Sequence, residues 1–214
     1  MSVPALVLIP GCGRDRHAYD PLVACLDGVD VIPLSLPGRD GIPGPAPASA
    51  REAALWVRAR LRETGVSRAI IGGHSYGGGV AIELALLCGE DGTGLVAGLV
   101  LMDTGARLRA HPDILAGAEA ACAEEPANDL LAANLADWRA CDAFDRLPEV
   151  HRIAVPTLVL VGADDVLTPP KYARYLGDRV ADSQVVVLPD AGHDAPSTHP
   201  REVAAAILEF LRRR

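Results

Sequence analysis

Apolar residues in this chain come mainly in short unbroken runs rather than in strict alternation with polar ones. Six runs rich in Val, Leu and Ile cover residues 5–9, 29–34, 69–72, 95–102, 157–161 and 184–188. Strands that are covered on both faces have this appearance, because neither side chain direction meets water. Helical periodicity separates most of the runs. Ser49 and Glu52 have capping-box spacing, Leu55, Val57 and Leu61 follow, and Gly65 ends the pattern. Residues 201–212 carry Val203, Ile207, Leu208 and Leu211 at helical spacing, and the three arginines 212–214 fall at the negative end of the helix dipole. Strand and helix in alternation predict an α/β fold: a six-stranded, doubly wound parallel sheet with helices on both faces.

The rhythm breaks between residues 104 and 153, where some fifty residues separate two strands, too many for a simple connection. Residues 116–123 and 130–138 are rich in Ala and Leu, and the stretch is acidic through Asp113, Glu119, Glu124, Glu125, Asp129, Asp137, Asp142 and Asp145. It is expected to be helical, with its acids on a solvated face. Because it follows a strand end, where open α/β sheets bind ligands, it is read as a lid. The expected division is a core of residues 1–104 and 154–214 and a helical lid of residues 105–153.

Composition narrows the classes. The 214 residues are 50% hydrophobic and carry a net charge of −8, enough chain for one buried core and no basic face for phosphate backbones. Nucleic acid is not an expected partner. The apolar run 3–9 is interrupted by Pro4 and is too short to cross a bilayer, so no membrane association or targeting segment is expected. The five cysteines, Cys12, Cys25, Cys88, Cys122 and Cys141, are odd in number and have no metal-ligand spacing. That usage fits a reducing compartment, and the expected location is cytoplasmic, with no metal and no disulfide framework.

The strongest chemical signal is Gly73-His74-Ser75-Tyr76-Gly77-Gly78, between an expected strand and an expected helix. This is the GxSxG elbow, a turn so tight that side chains at Gly73 or Gly77 would strike neighbouring backbone. Ser75 would gain from the positive end of the following helix. A serine hydroxyl needs a base. Of six histidines, His17, His111, His151 and His199 read as isolated loop or surface residues, and His74 would point away from Ser75 and support the elbow. His193, in a loop between a strand and the last helix, is the candidate base. A carboxylate must orient it, and Asp164 or Asp165, after the run 157–161, supplies one. The turn Gly11-Cys12-Gly13 and the amide of Tyr76 are placed to donate to an oxyanion. A third glycine is missing after Gly11 and Gly13, so the dinucleotide fingerprint GxGxxG fails and no organic cofactor is expected.

Taken together these residues resemble the α/β-hydrolase superfamily over residues 5–211. The likeness is carried by Leu6-Val7-Leu8-Ile9-Pro10-Gly11, by residues 73–78, by Val155 through Gly162 to Thr168-Pro169-Pro170, and by Gly192-His193 with Pro200-Arg201-Glu202-Val203. The resemblance carries the acid over to Asp165, with Asp103 held in reserve because some relatives place it one strand earlier. It implies that the family's first hairpin is absent and that the sheet is wholly parallel, as in compact methylesterase-like members. Pro10 stands where the family usually has histidine. The implied activity is that of a serine hydrolase cleaving a small carboxylic ester through an acyl-enzyme: Ser75, Asp165 and His193 catalytic, Cys12 and Tyr76 amides holding the oxyanion. Gly11, Gly13 and Trp138 are expected to bind substrate, with Cys12, Gly13 and Tyr76 on the pocket floor and Leu115, Leu131 and Trp138 in the roof.

Alternatives stay open. Leu36-Pro37-Gly38-Arg39-Asp40 looks like a segment of the thioesterases that serve polyketide and peptide synthases. Carbon–carbon bond hydrolases and hydroxynitrile lyases share the triad; the lyase would want a cation near the nucleophile, and Lys171 is the one lysine. Some members of the fold are small-molecule receptors that do no chemistry.

Overall fold

The computed structural model describes residues 4–213; residues 1–3 and Arg214, one of the arginines expected at the end of the last helix, lie outside the described residues. Six strands, β1 (Ala5–Ile9), β2 (Val31–Pro33), β3 (Ala69–His74), β4 (Val96–Met102), β5 (Thr157–Gly162) and β6 (Ser183–Leu188), form one sheet. Their order is β2-β1-β3-β4-β5-β6, and every pairing is parallel. The helices are α1 (Asp20–Val23), α2 (Ala50–Glu63), α3 (Tyr76–Asp91), α4 (Pro112–Glu124), α5 (Asp129–Asp142), α6 (Pro170–Arg179), α7 (Ala195–Thr198) and α8 (Pro200–Arg212). The chain moves from β1 outward to β2 and then back past β1 to β3. That reversal opens a crevice beyond the carboxyl ends of β1 and β3.

The unbroken apolar runs become two cores, one on each face of the sheet. Val7, Ile9, Ile71, Leu99, Leu101, Val159 and Val161 pack with α2, α3 and α6, including Val57, Leu61, Val80, Leu84 and Leu176. Their neighbours in sequence, Leu6, Leu8, Ile70, Val100, Met102, Leu158 and Leu160, pack on the other face with Leu22, Val203, Ile207 and Leu211. Each such side chain contributes on the order of 1.5–3 kcal/mol when fully buried.

Element ends differ from the sequence reading in instructive ways. Of residues 29–34 only Val31–Pro33 is strand, half-buried at the sheet edge; Pro33 has no N–H to give, which suits an edge. By contrast β3 runs on from Gly72 to His74, because Gly73 and His74 pair with Ile9 and Met102 on either side. Ser49 caps α2 as expected, accepting the amide of Glu52, but the Glu52 carboxylate turns to the amide of Ala48 at 2.9 Å. Leu55 does not join the core. It is exposed, and the buried stripe of α2 is Ala50, Ala53, Ala54, Val57 and Leu61.

Between β4 and β5 the chain forms α4 and α5, helical as expected. Leu108, Ala140, Cys141, Phe144, Val150 and Ile153 of this stretch belong to the main core, so its base is continuous with the sheet's packing. One of its acids departs from the solvated face expected for them: Asp137 is fully buried.

Candidate active site

Ser75 sits at the junction of β3 and α3 with φ 53° and ψ −120°, a region of backbone space that a residue with a side chain enters only when its surroundings force it. The forcing is visible at the two flanking glycines. A Cβ on Gly73 would lie 2.1 Å from the carbonyl oxygen of Gly77, and one on Gly77 would lie 2.0 Å from that of Ile9. The elbow is therefore pressed between its own helix and the end of β1. Its Oγ is turned toward the crevice at the end of the sheet.

There Oγ meets Nε2 of His193 at 3.0 Å, and Nδ1 of His193 meets Oδ2 of Asp165 at 2.9 Å. The Asp165 carboxylate is fixed from behind. Its Oδ1 accepts the amides of Leu167 and Thr168, both at 2.8 Å, and its Oδ2 accepts the Thr168 hydroxyl at 2.7 Å. Burial pushes the Asp165 pKa up, but the bonds from His193 and Thr168 outweigh it and leave the pKa below the usual value. The acid is thus held as a carboxylate.

Asp103, the reserve acid, takes a different position. It stands at the end of β4 with φ 46°, and its two oxygens accept the amides of Gly162 at 2.9 Å and Ala195 at 3.1 Å. It thereby joins the loop that carries Asp165 to the loop that carries His193. Burial, with the nearby Asp165 charge adding to it, raises its pKa to about 7. The Asp164 amide donates to the carbonyl of Ala191 at 2.9 Å.

His74 does more than support the elbow. Its Nε2–H donates to the backbone carbonyl of His193 at 2.6 Å, and the two rings lie 5.0 Å apart. Burial first, then the neighbouring His193, lowers its pKa to about 4, so it remains neutral near pH 7.

The turn expected to supply an oxyanion donor, residues 11–13, lies close to the elbow: a Cβ on Gly11 would lie 3.3 Å from Cβ of Ser75. Tyr76 is the first residue of α3, so its amide is one of the helix's orphan donors. Around Ser75 a cavity of about 470 Å³ is lined by Gly11, Cys12, Arg14, Trp138, Leu167 and Asp194, among others. Gly11, Cys12 and Trp138, expected at a substrate pocket, are among the lining. Gly13 does not line it, because its amide turns away to Asp137 at 2.9 Å. Nor does the Tyr76 ring, which is fully buried in the core, so only its main chain can face the site. Leu115 and Leu131 are also outside the lining, leaving Trp138 as the contribution of α5.

Four lining residues were missed: Arg14, Leu167, Asp194 and Thr198. Arg14 and Asp194 form an ion pair at 2.5 Å on the cavity wall. Both adjoin residues the sequence did mark, Gly13 and His193, and adjacency was the available signal. Among the described residues no group of His, Cys, Asp and Glu could hold a metal ion, no helix is long and apolar enough to cross a membrane, and the five cysteines are free.

A family model described as "Alpha/beta hydrolase family" matches residues 6–206. The chain is 28% identical to a pimeloyl-[acyl-carrier protein] methyl ester esterase of Neisseria meningitidis, over 98% of this chain and 77% of that one. It is 27% identical to a protein of Pseudomonas savastanoi pv. phaseolicola named provisionally as carbamate hydrolase RutD, over 98% and 94%. A solved structure of a thermophilic esterase from Thermogutta terrifontis superposes with a TM-score of 0.81 at 25% identity, covering 98% of this chain and 90% of that chain.

Proposed function

The chain belongs to the alpha/beta hydrolase family, and from that premise we propose that this hydrolase cleaves a small carboxylic ester through an acyl-enzyme on Ser75. The observation that carries the reading is the unbroken relay from Ser75 Oγ through His193 to Asp165, with contacts of 3.0 and 2.9 Å. His193 takes the Ser75 proton as Oγ attacks the ester carbonyl, and the amides of Cys12 and Tyr76 receive the charge that develops on the carbonyl oxygen. Collapse expels the alcohol, which takes the proton from His193. Water then repeats the sequence on the acyl-enzyme, losing its proton to His193 and releasing the acid. Asp165 holds Nδ1–H so that Nε2 faces the serine, and it stabilises the imidazolium in each half. Held below its ordinary pKa, Asp165 stays ionised near neutral pH.

The cavity and the relatives together support this substrate class. About 470 Å³ suits a small molecule, and curated relatives matched over 98% of this chain carry the names of a methyl ester esterase and a carbamate hydrolase. A helical cover fits the position of α5, whose Trp138 reaches the cavity. The likeness of residues 36–40 to thioesterases lends little to a thioester substrate, because Arg39 is buried in an ion pair away from the lining. Free thiols fit a cytoplasmic setting.

The test is turnover of p-nitrophenyl esters from acetate to octanoate beside acyl-thioesters, with Ser75→Ala as control. The reading expects Ser75-dependent release that favours the short oxygen esters. A thioester preference would move the assignment to a thioesterase, and no Ser75-dependent turnover of any of them would favour a lyase or a binder without chemistry.

A further inference from the structure

Arg39 and Asp137 form a closed ion pair inside the protein, 98 residues apart in the chain. Nη1 donates to Oδ2 at 2.5 Å and Nη2 to Oδ1 at 2.9 Å, and the side chains are 3% and 0% exposed. A pair taken wholly out of water forfeits much of its attraction to desolvation, and apolar residues of similar volume often serve stability as well. Stability alone therefore gives this pair a weak reason to exist. Its other bonds give a better one. Asp137 Oδ2 also accepts the amide of Gly13 at 2.9 Å, and Arg39 Nη1 also donates to the carbonyl of Arg14 at 3.2 Å. Those two residues directly follow Cys12.

We propose that Arg39 and Asp137 are positioning residues that fix the oxyanion turn, with Asp137 anchoring it to α5. Resting on the acyl-enzyme reading, this assigns them a role exerted through the Cys12 amide, without contact to substrate. The Gly13 amide is held by Asp137 and the Arg14 carbonyl by Arg39, while the Arg14 amide closes the turn onto the Gly11 carbonyl at 3.2 Å, so the segment on either side of Cys12 is pinned and the orientations open to its N–H are restricted. A donor set in advance costs nothing to orient as charge develops, whereas a loose one must be ordered during the step. The same pair ties the turn to the helix that brings Trp138 to the cavity wall, so the cover and the oxyanion site are held as one body.

The test replaces the pair by apolar residues, Arg39→Met/Asp137→Leu, and compares it with Arg39→Met/Asp137→Asn, in which the Asn carbonyl can still accept the Gly13 amide. With p-nitrophenyl acetate, the Met/Leu variant should keep its melting temperature within a few degrees. Its kcat should fall about 100-fold, the scale of an impaired oxyanion donor, with KM changing less than about threefold. Affinity for an alkyl boronic acid, which mimics the tetrahedral oxyanion, should fall in parallel, and the Met/Asn variant should recover about tenfold of both. Should the Met/Leu variant not fold, Asp137→Glu decides: it keeps the charge but displaces the carboxylate from Gly13, and the same joint loss of kcat and boronate affinity is expected. A folded variant with parental kcat and boronate affinity overturns the proposal. Ser75→Ala, assayed alongside, separates the outcomes, since undiminished hydrolysis there would overturn the acyl-enzyme reading instead.

Discussion

The Thr168 hydroxyl and His193 Nδ1 converge on the same oxygen of Asp165, at 2.7 and 2.9 Å. Thr168 lies three residues after the acid, so the loop that presents Asp165 also supplies the bonds that keep it ionised and aimed. Thr168→Val preserves shape and removes the hydroxyl. We expect kcat/KM for p-nitrophenyl acetate to fall about tenfold, equivalent to roughly 1.4 kcal/mol, with the melting temperature little changed; a parental kcat/KM would show that the two backbone amides suffice.

The two buried aspartates should separate under mutation. Asp165→Asn keeps the size but loses the carboxylate facing His193, and should lower kcat by about 10³- to 10⁴-fold. Asp103→Asn leaves that relay in place and should cost no more than about tenfold. Steady-state rates on one ester decide the matter, and the reverse ranking would make Asp103 the acid.

Asp103 also predicts a pH dependence of stability. Its pKa rises from 3.8 to about 7 on folding, so between those values the folded state holds a proton that the unfolded state has lost. Stability from this group is complete below pH 3.8 and declines as pH rises toward about 7, above which the loss is full. In thermal melts across this window, Asp103→Asn should gain on the parent protein as pH rises and then run parallel to it above about pH 7. A constant difference would mean the carboxyl does not titrate there.

Gly77→Ala should be severe. The added carbon would sit 2.0 Å from the Ile9 carbonyl, and neither backbone can yield without moving the elbow. The expectation is a loss of more than about 3 kcal/mol in denaturant unfolding or failure to fold, against nearly none for Gly89→Ala, where the new carbon meets nothing within 4 Å.

What was legible in the sequence was whatever is written locally. The apolar runs marked six strands because both faces of the sheet are covered, and the Gly-Ser-Gly spacing marked the elbow because steric pressure there permits no other residue. His193 and the pair Asp164 and Asp165 were marked by their places after strands, and only the family resemblance singled out Asp165. Asp137 was not legible: it is one of nine acids between residues 104 and 153, and its partner Arg39 lies 98 residues away. The service of Asp103 to two loops was hidden for the same reason, since backbone amides leave no mark in the side-chain pattern. The pocket floor was misread at Gly13 and Tyr76 because sequence locates a residue on a loop without saying whether its side chain or its amide faces the cavity.

The central claim is a covalent bond to Ser75, and rapid mixing with p-nitrophenyl acetate tests it most directly. If deacylation is the slower half, the account predicts a burst of one p-nitrophenol per protein before the steady rate. Acid quenching during the burst should give an intact mass raised by one acetyl group, located on Ser75 by peptide mapping and absent in Ser75→Ala. Turnover at the parental rate by Ser75→Ala, or an acetyl group trapped on another side chain during that turnover, would contradict it.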